Sequence, residues 1–285
     1  MQSSVSDQIQ ALEAELGTDL FVRAKSGLEL TPAGEALIPY AEEMLALGEE
    51  ARAAIADATA EGGGSVTIGA LETIASARLA SLLSGFRNGH PEIDLRLTIA
   101  GSGELTGRLE RGQIDVAVCF HDGVLDKRFV KRIVLEEPLV LIGPPGRHNR
   151  AEPVDLAELA AGTFVATAPG CAYRAMLDKA FVQAGVPAPR LAAEVESIDT
   201  IAKLVASGAG LGLVPKLAVF EALAQGEISE LGWPGPAQAA SLTMIWRRRR
   251  VQPPALRKLL AAAADHFEAL RPAGARLPRA VPSLS

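Results

Sequence analysis

Apolar residues recur at helical spacing near the start of the chain, where Val5, Ile9, Leu12 and Leu16 fall on one face and Gly17 follows as a helix-ending residue. Phe21–Ala24 and residues 28–31 then flank Lys25-Ser26-Gly27, a turn-prone tripeptide that predicts two short strands folded back as a small wing. Thr31-Pro32 joins a good N-cap to the one helical position where a missing N–H costs nothing, so a second helix starts there and runs to about Ala58. Within it Leu37, Tyr40, Met44, Leu47, Ala51, Ala54 and Ala58 alternate in steps of three and four, the seam of two helices wound together. Packing on the chain's own body is the other reading of that stripe. Its charged flanks Glu42, Glu43, Glu49, Glu50 and Arg52 favour an exposed two-helix contact.

Glu61-Gly62-Gly63-Gly64 marks a joint, because three glycines in a row cannot cheaply continue a helix. After it the pattern changes to strand and helix in alternation. Strands are expected at 66–70, 93–99 and 114–120, with helices at 74–88 and 104–111 between them. A second round places strands at 163–166, 191–195 and 211–214 and helices at 174–184 and 199–207. A further strand at 241–246 and a closing helix at 254–267 complete the pattern. This βαβ grammar predicts mainly parallel sheets in two tandem lobes, with crossings near 138–143 and 238–242 and a cleft between the lobes.

The run Ser4-Val5-Ser6-Asp7-Gln8-Ile9-Gln10-Ala11-Leu12-Glu13-Ala14-Glu15-Leu16-Gly17-Thr18-Asp19-Leu20-Phe21-Val22-Arg23, followed by Leu30-Thr31-Pro32-Ala33-Gly34-Glu35, resembles the LysR-type transcriptional regulators. Pro91, the segment Gly112-Gln113-Ile114-Asp115-Val116-Ala117-Val118 and the segment running from Val205 to Pro215 extend the likeness over about residues 2 to 270. The resemblance implies an α/β chain with a partial winged helix-turn-helix and a long linker helix. A two-lobed Rossmann-like effector domain similar to type 2 periplasmic binding proteins follows. The corresponding divisions are 1–31 for DNA binding, 32–60 for dimerisation, 65–270 for the effector domain and 271–285 as a flexible tail. It further implies promoter DNA, a small-molecule effector and the chain itself, as dimer or tetramer, as partners.

In that family a helix and the start of another precede the recognition helix, so the reader head is expected to be incomplete here and the native start to lie upstream of Met1. The apolar stripe of the first helix would then be exposed, at roughly 1.5 to 3 kcal/mol per large side chain relative to burial. Weak or no specific DNA binding would follow at this length. A ligand-binding or interaction protein that has lost its DNA reader is therefore the alternative reading.

By the resemblance, Gln2, Ser3, Ser4, Ser6 and Asp7 occupy the outward face that reads base edges, and Arg23 and Lys25 in the wing reach phosphates or the minor groove. Helix capping by the serines is the plain alternative. Five carboxylates against two cations in the first 31 residues make a poor electrostatic footprint for DNA. Arg247-Arg248-Arg249-Arg250, the most basic tract, reads as a solvated strand end.

Ligands of open α/β sheets bind beyond the carboxyl ends of strands, where helix N-termini offer free N–H groups to anions. Thr73, Ser102 and Ser197 stand at such ends and are expected to hold a carboxylate-bearing metabolite; each could equally be only an N-cap. Cys119, Phe120 and Cys171 fall at further strand ends facing the cleft. A redox or electrophile sensor is one reading of the thiols. Preferred is a small apolar residue at Cys119 and a pocket wall at Cys171, since free cysteine is commonly buried and inert.

Composition agrees with a folded chain of about two domains: 285 residues, 48% hydrophobic, 22% charged, formal charge −6. The longest apolar stretch, 201–220, is broken by Lys203, Pro215 and Lys216, and no secretory signal follows Met1, so no membrane partner and a cytoplasmic location are expected. Two cysteines and four scattered histidines give neither a disulfide framework nor a metal site. Gly208-Ala209-Gly210-Leu211-Gly212 lies between a helix and a strand, the reverse of a dinucleotide loop, so no cofactor is expected. No nucleophile elbow and no His, Cys and carboxylate set can be assembled, which argues against an enzyme.

Overall fold

The computed structural model describes residues 2–24, 27–59, 63–121, 123, 125–146, 153–169, 171–235, 238–249 and 251–271. The chain divides into two compact units, Met1–Glu61 and Gly62–Ser285.

The first unit holds α1 (Gln2–Leu16), the antiparallel hairpin β1 (Phe21–Ala24) and β2 (Gly27–Leu30), and α2 (Pro32–Thr59). Gly17 ends α1 with a positive φ. Glu13 then turns its carboxylate onto the chain that follows, accepting from the backbone N–H groups of Leu20 at 2.7 Å and Phe21 at 3.1 Å. Thr31 caps α2, its hydroxyl accepting from Gly34 N and donating to Asp19 O. Apolar side chains stay outside in both helices: Val5, Leu12 and Leu16 on α1, and Tyr40, Met44 and Leu47 on α2, are each 41–66% exposed. Helix α2 continues through Pro39.

The second unit opens with β3 (Gly64–Ala70), then a helical stretch made of α3 (Glu72–Ile74), a π-helical turn (Ala75–Leu79) and α4 (Ala80–Gly89). β4 (Ile93–Ile99), α5 (Ser102–Glu110), β5 (Val116–Phe120) and the long β6 (Phe129–Gly143) follow. Next come α6 (Leu156–Ala161), β7 (Thr163–Ala166), α7 (Ala172–Ala184), β8 (Arg190–Glu194), α8 (Ile198–Ala206), β9 (Gly212–Pro215), α9 (Lys216–Ala224) and β10 (Ser229–Leu231). β11 (Ala239–Arg247) and α10 (Pro254–Ala269) close it. Residues 272–285, and with them nearly all of the expected tail, lie outside the described residues.

The sheets are mixed where mainly parallel ones were expected. β3 pairs in parallel with β4 and β5, and β7 with β8, as the βαβ pattern requires. β11 runs antiparallel to β5 and β6, and β9 and β10 antiparallel to β6, because β6 and β11 carry the chain between lobes without a helical crossover. β6 belongs to both lobes: residues 129–138 pair with β11, residues 139–143 with β9 and β10. The return crossing lies beside it, Leu139 N donating to Gln238 O at 2.9 Å. One apolar cluster, from Val66 and Phe86 through Leu141 to Phe164 and Phe181, runs through both lobes, and α10 packs on β3, α4 and β6.

Two sequence motifs acquire plain structural roles. Asp115 joins β5 to β3, its carboxylate accepting from Thr67 N at 2.8 Å and its own N–H donating to Thr67 O. The glycine run after α8 is a helix-to-strand turn, with Gly208 at φ +87°. The arginine tract is more than a solvated strand end: Arg247 donates to the terminal carbonyls of α5, Leu109 O and Glu110 O, and Arg248 to Lys127 O.

A Cβ at Gly210 would lie 2.5 Å from the carbonyl oxygen of Thr163, and backbone cannot move aside cheaply. Gly210→Ala is expected to lower stability by about 2 to 4 kcal/mol, measured by urea unfolding; an unchanged midpoint would show that the turn relaxes freely.

Candidate functional site

A cleft of about 620 Å³ lies between the lobes of the second unit, walled by four loops at the carboxyl ends of β3, β4, β7 and β8. Leu71, Glu72 and Thr73 come from the first loop, and Ile99 to Glu104 from the second. The facing lobe supplies Thr167 to Pro169, Cys171 and Tyr173 from one loop and Glu196 to Ile198 from the other. Four helical segments begin at this cleft. α5 starts at Gly101, which has no side chain to cap it, and α7 starts at Cys171, which makes no capping hydrogen bond. Their first-turn N–H groups are therefore open to a ligand, and the helix ends carry partial positive charge. α8 is capped by Ser197, whose hydroxyl accepts from Thr200 N at 3.5 Å and keeps its proton to donate.

The cleft brings together Thr73, Ser102, Cys171 and Ser197. It does not bring in Cys119 or Phe120, which correct the expectation that the end of β5 faces the ligand. Cys119 is 1% exposed beneath α5, packed with Leu105, Leu109 and Ile114, and burial pushes its thiol up to about 12. Phe120 lies on the opposite face of the strand, 3% exposed, and meets the ring of Tyr173 edge-on at 6.0 Å. It supports the wall from behind. Tyr173 itself lines the cleft; burial raises its phenol far above the usual tyrosine range, with Cys171 hydrogen-bonded beside it. The signal for Tyr173 was its place in the first turn of α7, two residues after Cys171.

Thr167 is 5% exposed and lines the cleft, with no hydrogen-bond partner for its hydroxyl oxygen among the described residues. Its carbonyl is fixed by Arg174 Nη1 at 2.8 Å, and that guanidinium also binds Asp178 and Glu194. The charged side chains among the described lining residues are all carboxylates: Glu72, Glu104 and Glu196. Glu104 is engaged with Arg108 at 2.6 Å.

Profiles of known families match nearly the whole chain. Residues 59–268 match the LysR substrate binding domain, and residues 1–35 match the bacterial regulatory helix-turn-helix protein, lysR family. The chain belongs to the LysR family of transcriptional regulators. It is similar to the HTH-type transcriptional regulator GltR of Bacillus subtilis, with 30% identity over 95% of this chain and 90% of the relative. An uncharacterized HTH-type transcriptional regulator of the same organism, YwqM, is 31% identical over 81% of this chain and 79% of its own. Full-length CbnR, a LysR-family regulator solved with its target DNA, superposes with a TM-score of 0.58 at 25% identity, covering 93% of this chain and 90% of CbnR.

In this LysR-family chain the residues proposed to read DNA are only partly described. Ser6 and Asp7 are exposed on α1, which also carries Gln2, Ser3 and Ser4; Arg23 is in β1, and Lys25 lies outside the described residues. No helix among the described residues is long and apolar enough to cross a membrane.

The two thiols should separate cleanly. In the native protein at pH 8, a maleimide is expected to label Cys171 and spare Cys119, whose thiolate fraction at that pH is on the order of 10⁻⁴; denaturation should expose both. Peptide mass spectrometry reads the result, and rapid native labelling of Cys119 would contradict its burial beneath α5.

Proposed function

We propose that this LysR-type regulator binds operator DNA through residues 1–31, pairs through the helix in residues 32–60, and responds to a small metabolite held in the cleft of residues 65–270. The observation that carries the reading is the cleft itself: hydroxyls of Thr73, Ser102 and Ser197 and uncapped N-termini of α5 and α7 surround one cavity. Such donors stabilise an acidic group without a side-chain cation. The cavity of about 620 Å³ is the size for a small molecule, and Leu71, Ile99, Tyr173 and Ile198 offer it an apolar body to pack against. Three rim carboxylates disfavour a polyanion, so the effector carries a single acidic group, with or without a compensating amine.

DNA binding is supported by the family and by the likeness to CbnR, which was solved with its target DNA. The exposed apolar stripe of α2, with Tyr40, Met44 and Leu47 outside, supports pairing with a second copy. LysR-family proteins are regulators and not enzymes, and this chain is proposed to act likewise, without a catalytic centre or cofactor. As a DNA-binding regulator, it is proposed to work in the cytoplasm.

Selection of fragmented genomic DNA followed by gel shift, with the chain as given and with an extended N-terminus, tests the regulator reading; no enriched fragment with either would sink it. Mass spectrometry of small molecules retained by the purified protein is expected to recover an effector bearing one carboxylate or equivalent acid. Its affinity should fall at least tenfold in Thr73→Ala/Ser102→Ala/Ser197→Ala. Glu72→Gln/Glu196→Gln should tighten an effector that lacks an amine by about threefold to tenfold at low salt and less at high salt. Calorimetric titration gives both numbers, and affinities untouched by all five changes would place the ligand elsewhere.

A further inference from the structure

Glu137 is buried where β6 changes partners. It is 2% exposed, and it directly precedes Pro138, the last residue of β6 to pair with β11 before Leu139 pairs with β9. Its two carboxylate oxygens reach into different lobes. Oε2 accepts from Arg78 Nη2 at 2.7 Å, and Arg78 belongs to the π-helical turn between α3 and α4. Oε1 accepts at 3.2 Å from Leu217 N, in the first turn of α9. One side chain thus caps a helix of the second lobe and pairs with a cation on a helix of the first. Around this point Arg78 O contacts His266 Nε2 at 3.2 Å, and Lys216 is paired with Glu230 at 2.9 Å.

Stability alone is a poor reason for such a group. A buried ion pair recovers its desolvation penalty only in good geometry, and apolar residues of similar volume commonly serve as well. What a buried pair does supply is uniqueness, because any arrangement that parts the two charges leaves one of them buried and uncompensated. Placed at a hinge, that penalty falls on rotation of one lobe against the other. A second cavity, about 440 Å³, lies against the same elements, lined by Ser76 and Ala77 on one side and Leu217 and Phe220 on the other, beside the apolar cluster that joins the lobes.

We propose that Glu137 is the positioning residue that sets the angle between the two lobes, by tying the turn of Arg78 to the start of α9 across the hinge. Its use in signalling rests on the regulator reading above; its effect on the lobes does not. Arg78 and the cleft residue Thr73 share one helical stretch, so the tie and the cleft are joined through one element.

The test is the distribution of distances between spin labels at Asn88→Cys in α4 and Gln183→Cys in α7, in a Cys171→Ser background, by double electron–electron resonance. A single narrow distance is expected with Glu137 intact. Glu137→Gln, which keeps the shape and removes the charge, is expected at least to double the width, and Arg78→Lys, which keeps the charge but shortens the reach of the single Nη2–Oε2 bond, to give an intermediate width. Leu159→Ala, a core truncation in α6 away from the hinge, should lose stability and keep the narrow distance. An unchanged width in folded Glu137→Gln overturns the proposal, as does equal broadening in Leu159→Ala. Should Glu137→Gln not fold, an unchanged width in Arg78→Lys overturns it. Failure to find target DNA is read in a separate experiment and leaves these distances standing.

Discussion

A strand can serve two sheets only by changing hydrogen-bond partners along its length, and β6 does so between Pro138 and Leu139. The proline at that point has no N–H to offer a ladder, which suits a residue at the end of one pairing. The chain returns at Gln238, bonded directly to Leu139. Both covalent links between the lobes therefore lie side by side, and they define one axis about which the lobes can turn. The cleft walled by β3, β4, β7 and β8 is a consequence: the βαβ units on either side of that axis present the carboxyl ends of their strands, with the helix starts that follow them, to a common space.

Two helix starts, only one of them at the cleft, were legible in the sequence because capping chemistry is local. Thr31-Pro32 makes the expected cap, and Ser197, expected to hold a ligand with an N-cap as the equal alternative, makes the capping bond. The βαβ alternation located the strands on both sides of the cleft. Less legible was β6, whose first half mixes Lys131, Arg132, Glu136 and Glu137 with apolar residues and whose middle carries Pro138, a pattern that argues against a strand unless partners change there. Helix α9 escaped notice because its apolar residues surround the axis without a face, continuing the apolar run from Ile201. Alternation also could not say which of Cys119 and Phe120 looked outward at the end of β5. As it happens neither does: α5 covers one and Tyr173 the other.

Electrostatics in the cleft comes from two sources of opposite sign. Helix N-termini contribute the equivalent of roughly half a positive charge each, fixed in direction and close to where a ligand would sit. The rim carboxylates are solvated and screened, and Glu104 is already engaged with Arg108. A compact acid placed at the helix starts meets the first source at short range and the second at longer range, so it is favoured; a second negative charge reaching the rim is not.

The hinge and the cleft meet on one element. Thr73 stands at the head of the helical stretch from Glu72 to Gly89 and Arg78 stands five residues on, about 7 to 8 Å along the axis, with the π-helical turn Ala75–Leu79 holding Arg78. Helices transmit displacement along their length with little loss, whereas a π turn carries one residue more than the α pattern and marks a place where the register can adjust. On the proposed reading, a ligand bound to both Thr73 and Ser197 would act on the helical stretch that carries Arg78. Parting Arg78 from Glu137 would leave the Glu137 charge buried and uncompensated, so an arrangement of the lobes that keeps the pair is favoured over one that breaks it.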